Sequence, residues 1–268
     1  MRLFDVARSR LNRAESHLNL VANHWNTIPV EDLYRVRLKI EPNGNGRVLV
    51  ESNKPLPEET SLLLGEALYQ LRSALDACIY QASVYASGKN PPPDENKLEF
   101  PICMDHKEFP ALAKRRLFAL PQNVQDEIER MQPYNTPALQ PEDLIRNVNR
   151  TLGILNDLAR KDRHRKLHVV GSWVTDVQPQ FDLPSGVKLT MLRRSMGGFL
   201  SGSSEVATFK LIGFRRGMRP VQVNPFLTTT PALDEPPPPC CESDNWGQRF
   251  AQLPEAVEFV IRDLENYF

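Results

Sequence analysis

Apolar residues recur every three or four positions through the first 26 residues of the chain. Leu3, Phe4, Ala7, Leu11, Ala14, Leu18, Val21, Ala22 and Trp25 share one stripe, and Arg8, Arg10, Arg13 and Glu15 lie off it. That spacing predicts a long amphipathic helix over 2–26 that must bury its stripe against a partner surface. The period then drops to two. In LYRVRLKIE, Tyr34, Val36, Leu38 and Ile40 face one way, and Arg35, Arg37, Lys39 and Glu41 face the other. PNGNG supplies turn residues, and RVLVE returns with Val48 and Val50 on one face, so a β-hairpin is predicted at 33–51.

The helical period resumes over 57–86, where Leu64, Ala67, Leu68, Leu71, Leu75, Cys78, Ile79 and Ala82 make a second stripe. Pro57 with Glu58 and Glu59 suits a helix start, and Gly88 suits a C-cap. The pattern from 100 to 140 is broken. FPI reads as extended because Pro101 biases Phe100 away from helix. Short helices are expected near 106–114 and 121–132, followed by a proline-bounded loop, QPYNTPALQP. A third long helix starts near Pro141-Glu142-Asp143 and carries Leu144, Ile145, Val148, Leu152, Leu155 and Ala159 on one face.

After His168 the pattern changes to strands: HVVGSWVTDV, GVKLTMLRR and EVATFKLIGFRR. TTTPALDEPPPPCCESDN reads as an irregular surface loop. LPEAVEFVIRDLENYF closes the chain as an amphipathic helix with Val257, Val260, Ile261 and Leu264 inward. The expected fold class is α+β. An antiparallel helical bundle with an inserted hairpin occupies 1–168, and a small antiparallel sheet with a final helix occupies 169–268, packed as one unit.

Composition narrows the functional classes. The 268 residues carry 33 Lys plus Arg against 33 Asp plus Glu, so no overall field draws the chain to nucleic acid. Any polyanion site is then a local patch. Cys78, Cys103, Cys240 and Cys241 show neither CxxC nor zinc spacing. Cys78 falls in an apolar helical stripe, and Cys240-Cys241 reads as a pair of exposed free thiols. Together these point to a reducing compartment, the cytoplasm. The start, MRLFDVARSRLNRAESH, is too charged for a secretory signal, and no apolar run is long enough for a membrane span.

The densest charge lies in LNDLARKDRHRKLHVVGSW, Leu155 to Trp173. At about 100° per residue, a helix continued through 168 puts Asp157, Lys161, His164 and His168 opposite the apolar face. Asp162, Arg163 and Lys166 would then extend the core-facing stripe, and a buried charge needs partners. The helix therefore either leaves the bundle here or turns its charged end into a polar pocket. Cations at a helix C-terminus also satisfy the macrodipole, and Asp157–Lys161 and Asp162–Lys166 are stabilising spacings.

Arg163 and His168 make an R-x4-H pattern. A guanidinium grips a phosphate, and an imidazole moves protons near pH 7. Those are the minimum parts for RNA cleavage without a metal: the histidine takes the 2′-OH proton or protonates the leaving oxygen, and the arginine stabilises charge on phosphorus. Arg160, Lys161, Arg165 and Lys166 are candidate contacts to the nucleic-acid backbone.

LRSALDACIYQ (Leu71 to Gln81), FPI (Phe100 to Ile102), MQPY (Met131 to Tyr134) and DRHRKL (Asp162 to Leu167) occur in that order. Over roughly residues 60–170 the chain resembles a family of bacterial and phage helical proteins without an assigned activity, in which L-R-S-A-L-D is followed by D-K-H-R. More distantly, a helical bundle with R-x4-H near a helix end is similar to the HEPN superfamily. Many HEPN members are ribonucleases of toxin–antitoxin or phage-defence systems that work as dimers with the site at the interface. The resemblance implies Arg163 as phosphate stabiliser and His168 as acid/base. His164 departs from the Asn or Asp usual after that arginine. On an unbroken helix Arg163 and His168 point about 140° apart, so they converge only if the helix ends between them.

Arg72 and Asp76, one helical turn apart, read either as an ion pair or as support that orients Arg163 or His164; Asp162 and His164 complete the supporting set. His17 and His24, with His164 and His168, raise a weaker metal-site reading with no acidic ligand fixed by spacing. His106 reads as a loop or helix-start residue. Arg35, Arg37, Lys39 and Arg47, with Arg193-Arg194 and Arg215-Arg216, either grip phosphates or protect sheet edges. The leading expectation is a HEPN-like, metal-independent endoribonuclease or an inactive relative. It would need no cofactor; its partners would be RNA, a small antitoxin-like protein and a second copy. The alternative is a non-catalytic module that binds nucleic acid or protein.

Overall fold

A computed structural model describes residues 3–29, 34–52, 57–138, 140, 143–164, 169–194, 198–199, 203–215, 217–219, 221–224, 227–233 and 246–268. The first stripe becomes α1, Asp5–Thr27, and the second becomes α2, Glu58–Ser87, closed by Gly88 in the left-handed region at φ 64°. Ala7 meets Gln81, Arg10 meets Gln70 and His17 meets Glu66, so α1 and α2 run antiparallel. Phe4, Ala7, Leu11 and Ala14 of α1 pack on Leu64, Leu68, Leu71 and Leu75 of α2 in one apolar cluster. Each buried Leu or Phe among them contributes about 1.5–3 kcal/mol of transfer free energy.

The broken middle forms α3, Phe109–Arg116, and α4, Gln122–Arg130, close to the expected positions. Helix α5, Leu144–His164, adds Val148, Leu152, Leu155 and Leu158 to the same cluster, and α6, Trp246–Glu265, adds Leu253, Val257, Val260, Ile261 and Leu264. Three expectations need correction. Leu144 is 64% exposed, because the inward stripe of α5 begins only at Ile145 and Val148. Helix α6 starts at Trp246, upstream of Leu253, and runs through Pro254. Leu227–Leu233, within and beside the expected loop, is a strand. The vicinal pair Cys240-Cys241 lies outside the described residues.

The hairpin forms as expected: β1, Tyr34–Ile40, pairs with β2, Asn45–Ser52, from Tyr34↔Ser52 to Ile40↔Gly46. Gly44 turns at φ 83°, where a Cβ would strike the Leu211 carbonyl. In chain order the later strands are β3 (Val169–Val177), β4 (Gln180–Asp182), β5 (Lys188–Arg194), β6 (Gly198–Phe199), β7 (Ser203–Ile212), β8 (Gln222–Asn224) and β9 (Leu227–Leu233).

Strand β2 also pairs antiparallel with β7, which pairs with β5, so one four-stranded sheet runs β1-β2-β7-β5. The other strands form a three-stranded sheet, β6-β3-β9, and a two-stranded one, β4-β8. A second core lies under the hairpin, where Trp25 from the end of α1 packs with Tyr34, Val48, Val50, Phe209 and Leu211. The fold is α+β. Its hairpin and C-terminal strands share a sheet, and its final helix packs into the bundle.

Candidate functional site

Among the described residues of the charged α5 tail, Asp162 turns toward a hollow at the α1–α2 groove. Asp162 is half-buried and lies directly on α2. A Cβ built on Gly65 would sit 2.6 Å from Asp162 Oδ2 and 2.8 Å from Oδ1. Only glycine lets the carboxylate approach the α2 backbone so closely, at a cost in helix propensity of about 1 kcal/mol against alanine.

Asp162 borders a hollow of about 430 Å3 lined also by Arg13 and His17 of α1 and by Leu62, Gly65, Glu66, Tyr69 and Gln70 of α2. His17 is 7% exposed, and its Nδ1 lies 3.1 Å from Glu66 Oε2. The contact is close but off the line of a hydrogen bond, so Nδ1 is a buried polar atom without an aligned partner. Glu66, at 59% side-chain exposure, has freedom to swing into alignment. A carboxylate beside one ring nitrogen orients an imidazole and leaves Nε2 to move a proton.

Arg163 and His164, the last residues of α5, are exposed at its end. Arg163 therefore does not extend the core-facing stripe, whereas Asp162 turns inward. Lys161 pairs with Asp157 at 2.9 Å, as the helical spacing suggested, and Arg160 reaches the same carboxylate at 3.4 Å. His168, Arg165 and Lys166 lie outside the described residues, and so does the approach of Arg163 to His168.

Arg72 and Asp76 serve a different part of the molecule. The Arg72 guanidinium is buried, reaches Asp76 at 3.2 Å and Glu99 at 3.1 Å, and donates to the Phe100 carbonyl. Asp76 Oδ1 accepts the Phe100 N–H at 2.9 Å. Arg116 closes the network on Glu99 at 2.7 Å. Burial pushes the Asp76 carboxyl above its usual range, against the pull of Arg72 and the Phe100 N–H. Along α2, Asp76 stands 11 residues from Gly65, about 16 Å at 1.5 Å per residue. The pair braces Phe100 rather than the tail of α5.

MQPY joins the same brace. Gln132 is fully buried; its Oε1 accepts the Cys103 N–H at 2.8 Å, and its Nε2 donates to Pro101 O at 3.0 Å and Ile128 O at 2.9 Å. Two polar side chains from α2 and one from the end of α4 thus satisfy an extended segment that has no ladder of its own. Three of the four short motifs hold one another in place, and DRHRKL stands apart from them at the hollow.

Sequence reasoning missed His17 and Glu66 as neighbours of Asp162. The signal was present: Ala14, His17 and Val21 keep the helical spacing of the buried stripe, so His17 lies inside it. Among the described residues no group of three or more His, Cys, Asp or Glu side chains converges on a metal position. His106 is exposed beside Asp105, 3.3 Å away, in a turn before α3. On the hairpin, Arg37 pairs with Glu51 at 3.0 Å and Arg47 with Glu205 at 3.7 Å, which neutralises part of that basic face. Among the described residues no helix is long and apolar enough to cross a membrane. Compared with known proteins, the chain matches no family model, no curated protein and no solved structure.

Proposed function

We propose that this protein binds RNA at the tail of α5 and cleaves it without a metal, in the manner the HEPN resemblance implies. One observation carries the reading: Asp162, seated on Gly65, anchors the cationic tail beside a hollow that already holds Arg13 and the His17–Glu66 pair. In this reading Arg13 and Arg163 would grip a phosphodiester at the mouth, and Arg160, Lys161, Arg165 and Lys166 are the candidate contacts to the backbone.

The step is a transesterification. His168 takes the proton of the ribose 2′-OH, and O2′ attacks the adjacent phosphorus. The P–O5′ bond breaks, and a second imidazole, His17 through Nε2, protonates the departing 5′ oxygen. The arginines stabilise the extra negative charge on phosphorus. The products are a 2′,3′-cyclic phosphate and a 5′-hydroxyl. Glu66 and Asp162 place two carboxylates near the same hollow, so the cations of the tail have to outweigh them. A second copy or a small antitoxin-like protein covering the tail would extend or block the same site.

The test is incubation of purified protein with end-labelled RNA in EDTA, with His168→Ala, Arg163→Ala and His17→Ala in parallel. Cleavage that survives chelation and is lost in His168→Ala supports the reading. Salt-sensitive retention of RNA without turnover replaces it with the non-catalytic binding module. Neither cleavage nor retention overturns both.

A further inference from the structure

The groove between α1 and α2 holds a second and larger recess on the far side of Arg10. Arg10 donates to Gln70 at 3.3 Å and bridges the groove between the two hollows. Beyond it lies a cavity of about 700 Å3, within the range of small-molecule sites. Leu3, Val6, Ala77, Val84, Tyr85 and Leu98 give it mainly apolar walls. Val6 and Tyr85 are 46% and 59% exposed, which leaves the mouth open to solvent.

One polar group stands out in that lining. Asp76 borders the cavity, and both of its protein contacts, to the Phe100 N–H and to Arg72, are made through Oδ1. Oδ2 has no partner among the described residues. A carboxylate oxygen beside apolar walls, without a donor, is an acceptor set for a ligand. The charge balance selects the kind of donor. Arg72 and Arg116 already offset Asp76 and Glu99, and Arg10 adds a positive charge to the cavity lining. A cationic ligand would meet a neutralised network and a like charge. A neutral N–H or O–H meets only the open oxygen, and Tyr80 and Tyr85 offer ring surface to an aromatic body.

We infer that this cavity is a binding site for a neutral, mainly apolar, aromatic small molecule that donates one N–H or O–H to Asp76 Oδ2. It is separate from the α5 hollow and stands whether or not the protein acts on RNA. Burial raises the Asp76 carboxyl, and its side chain stays 35% exposed, so the oxygen is open to the cavity.

A matched pair of fluorescent probes tests it: 2-phenylindole, which carries a ring N–H, and N-methyl-2-phenylindole, which does not. Titrated into the full chain, the N–H probe is expected to saturate at one site and to bind about tenfold or more tighter than its methylated partner, the scale of a hydrogen bond to a charged acceptor. Val6→Trp, at the exposed mouth, should remove saturable binding of both probes while the protein stays folded. Asp76→Asn keeps an acceptor for Phe100 but turns the other atom into a donor, and should bring the two affinities to within about twofold. Equal affinities in the native protein, no saturation by either probe, or undiminished binding in Val6→Trp would each overturn the inference. If Asp76→Asn does not fold, the native and Val6→Trp comparisons decide alone.

Discussion

Replacing Gly65 with alanine puts a methyl group where Asp162 now rests. The new Cβ would lie 2.6 Å from Asp162 Oδ2, 2.8 Å from Oδ1 and 3.0 Å from Cγ. Comfortable contact is roughly 3.5 Å, so the carboxylate must turn away from α2. Overpacking of this kind costs about 1–3 kcal/mol. Alanine in place of glycine inside a helix returns about 1 kcal/mol. The single substitution is therefore expected to destabilise by about 1 kcal/mol. Asp162→Ala removes all three clashing atoms, so in that background Gly65→Ala should stabilise by about 1 kcal/mol. The coupling between the sites is then about 2 kcal/mol. Urea unfolding of the four proteins, followed by far-ultraviolet circular dichroism, gives the cycle if the m-values agree. Additivity within about 0.5 kcal/mol would refute the reasoning that Gly65 exists to seat Asp162.

Gln132→Ala strands the buried Cys103 N–H and Pro101 carbonyl and should cost about 2–4 kcal/mol, read as a fall in thermal midpoint of roughly 4–16 °C; a fall under about 2 °C would contradict the brace. Asp263 sits beside Glu127, Arg130 and Tyr267, and burial together with the Glu127 hydrogen bond pushes its carboxyl up from 3.8 to about 6. The folded chain keeps that proton after the unfolded chain has lost it, so stability falls as pH rises from about 4 to 6 and stays lower above. Asp263→Asn should match the parent near pH 4 and exceed it above pH 6. The ceiling of about 3 kcal/mol set by 1.36 kcal/mol per pKa unit shrinks to about 1 kcal/mol with solvent screening. Equal stability at pH 7 would count against it. Cys78 and Cys103 are buried, and burial pushes the Cys103 thiol up to about 11 and Cys78 further still. A thiol reagent should therefore leave Cys78 and Cys103 unmodified in the native chain and reach them only after unfolding; fast native-state reaction of either would contradict that burial.

The stripes in α1 and α2 were legible because burial repeats with the helix's own period, and the hairpin because alternation flanks a glycine turn. Strand β9 was not. Thr228, Thr229 and Thr230 suit a strand, but the Pro-rich run after Leu233 dominates the local pattern, and pairing with β3 is a tertiary fact. The partnership of the hairpin with β7 was invisible for the same reason, since Gly46 pairs with Phe209, far along the chain, and no local signal spans such a gap. Of the hollow, the α5 side was readable in the sequence. The conflict between core-facing register and charge left two outcomes, a helix that leaves the bundle or a charged end turned into a polar pocket, and Asp162 borders a hollow. Its opposite wall was not readable, because His17 and Glu66 come from helices whose alignment depends on the whole packing. Arg72 and Asp76 look alike in sequence whether they brace a backbone or orient a catalytic group, and the placement of Phe100 decides between the two.

The central claim is that the α5 tail and the α1–α2 hollow form one RNA-cleaving site. The most direct measurement is the end-group analysis of RNA incubated with the protein in EDTA. The account predicts fragments that end in 2′,3′-cyclic phosphate, with yield reduced at least a hundredfold in His168→Ala and in His17→Ala, the scale of a lost acid or base. Intact RNA, or cleavage that persists unchanged in both variants, would contradict it.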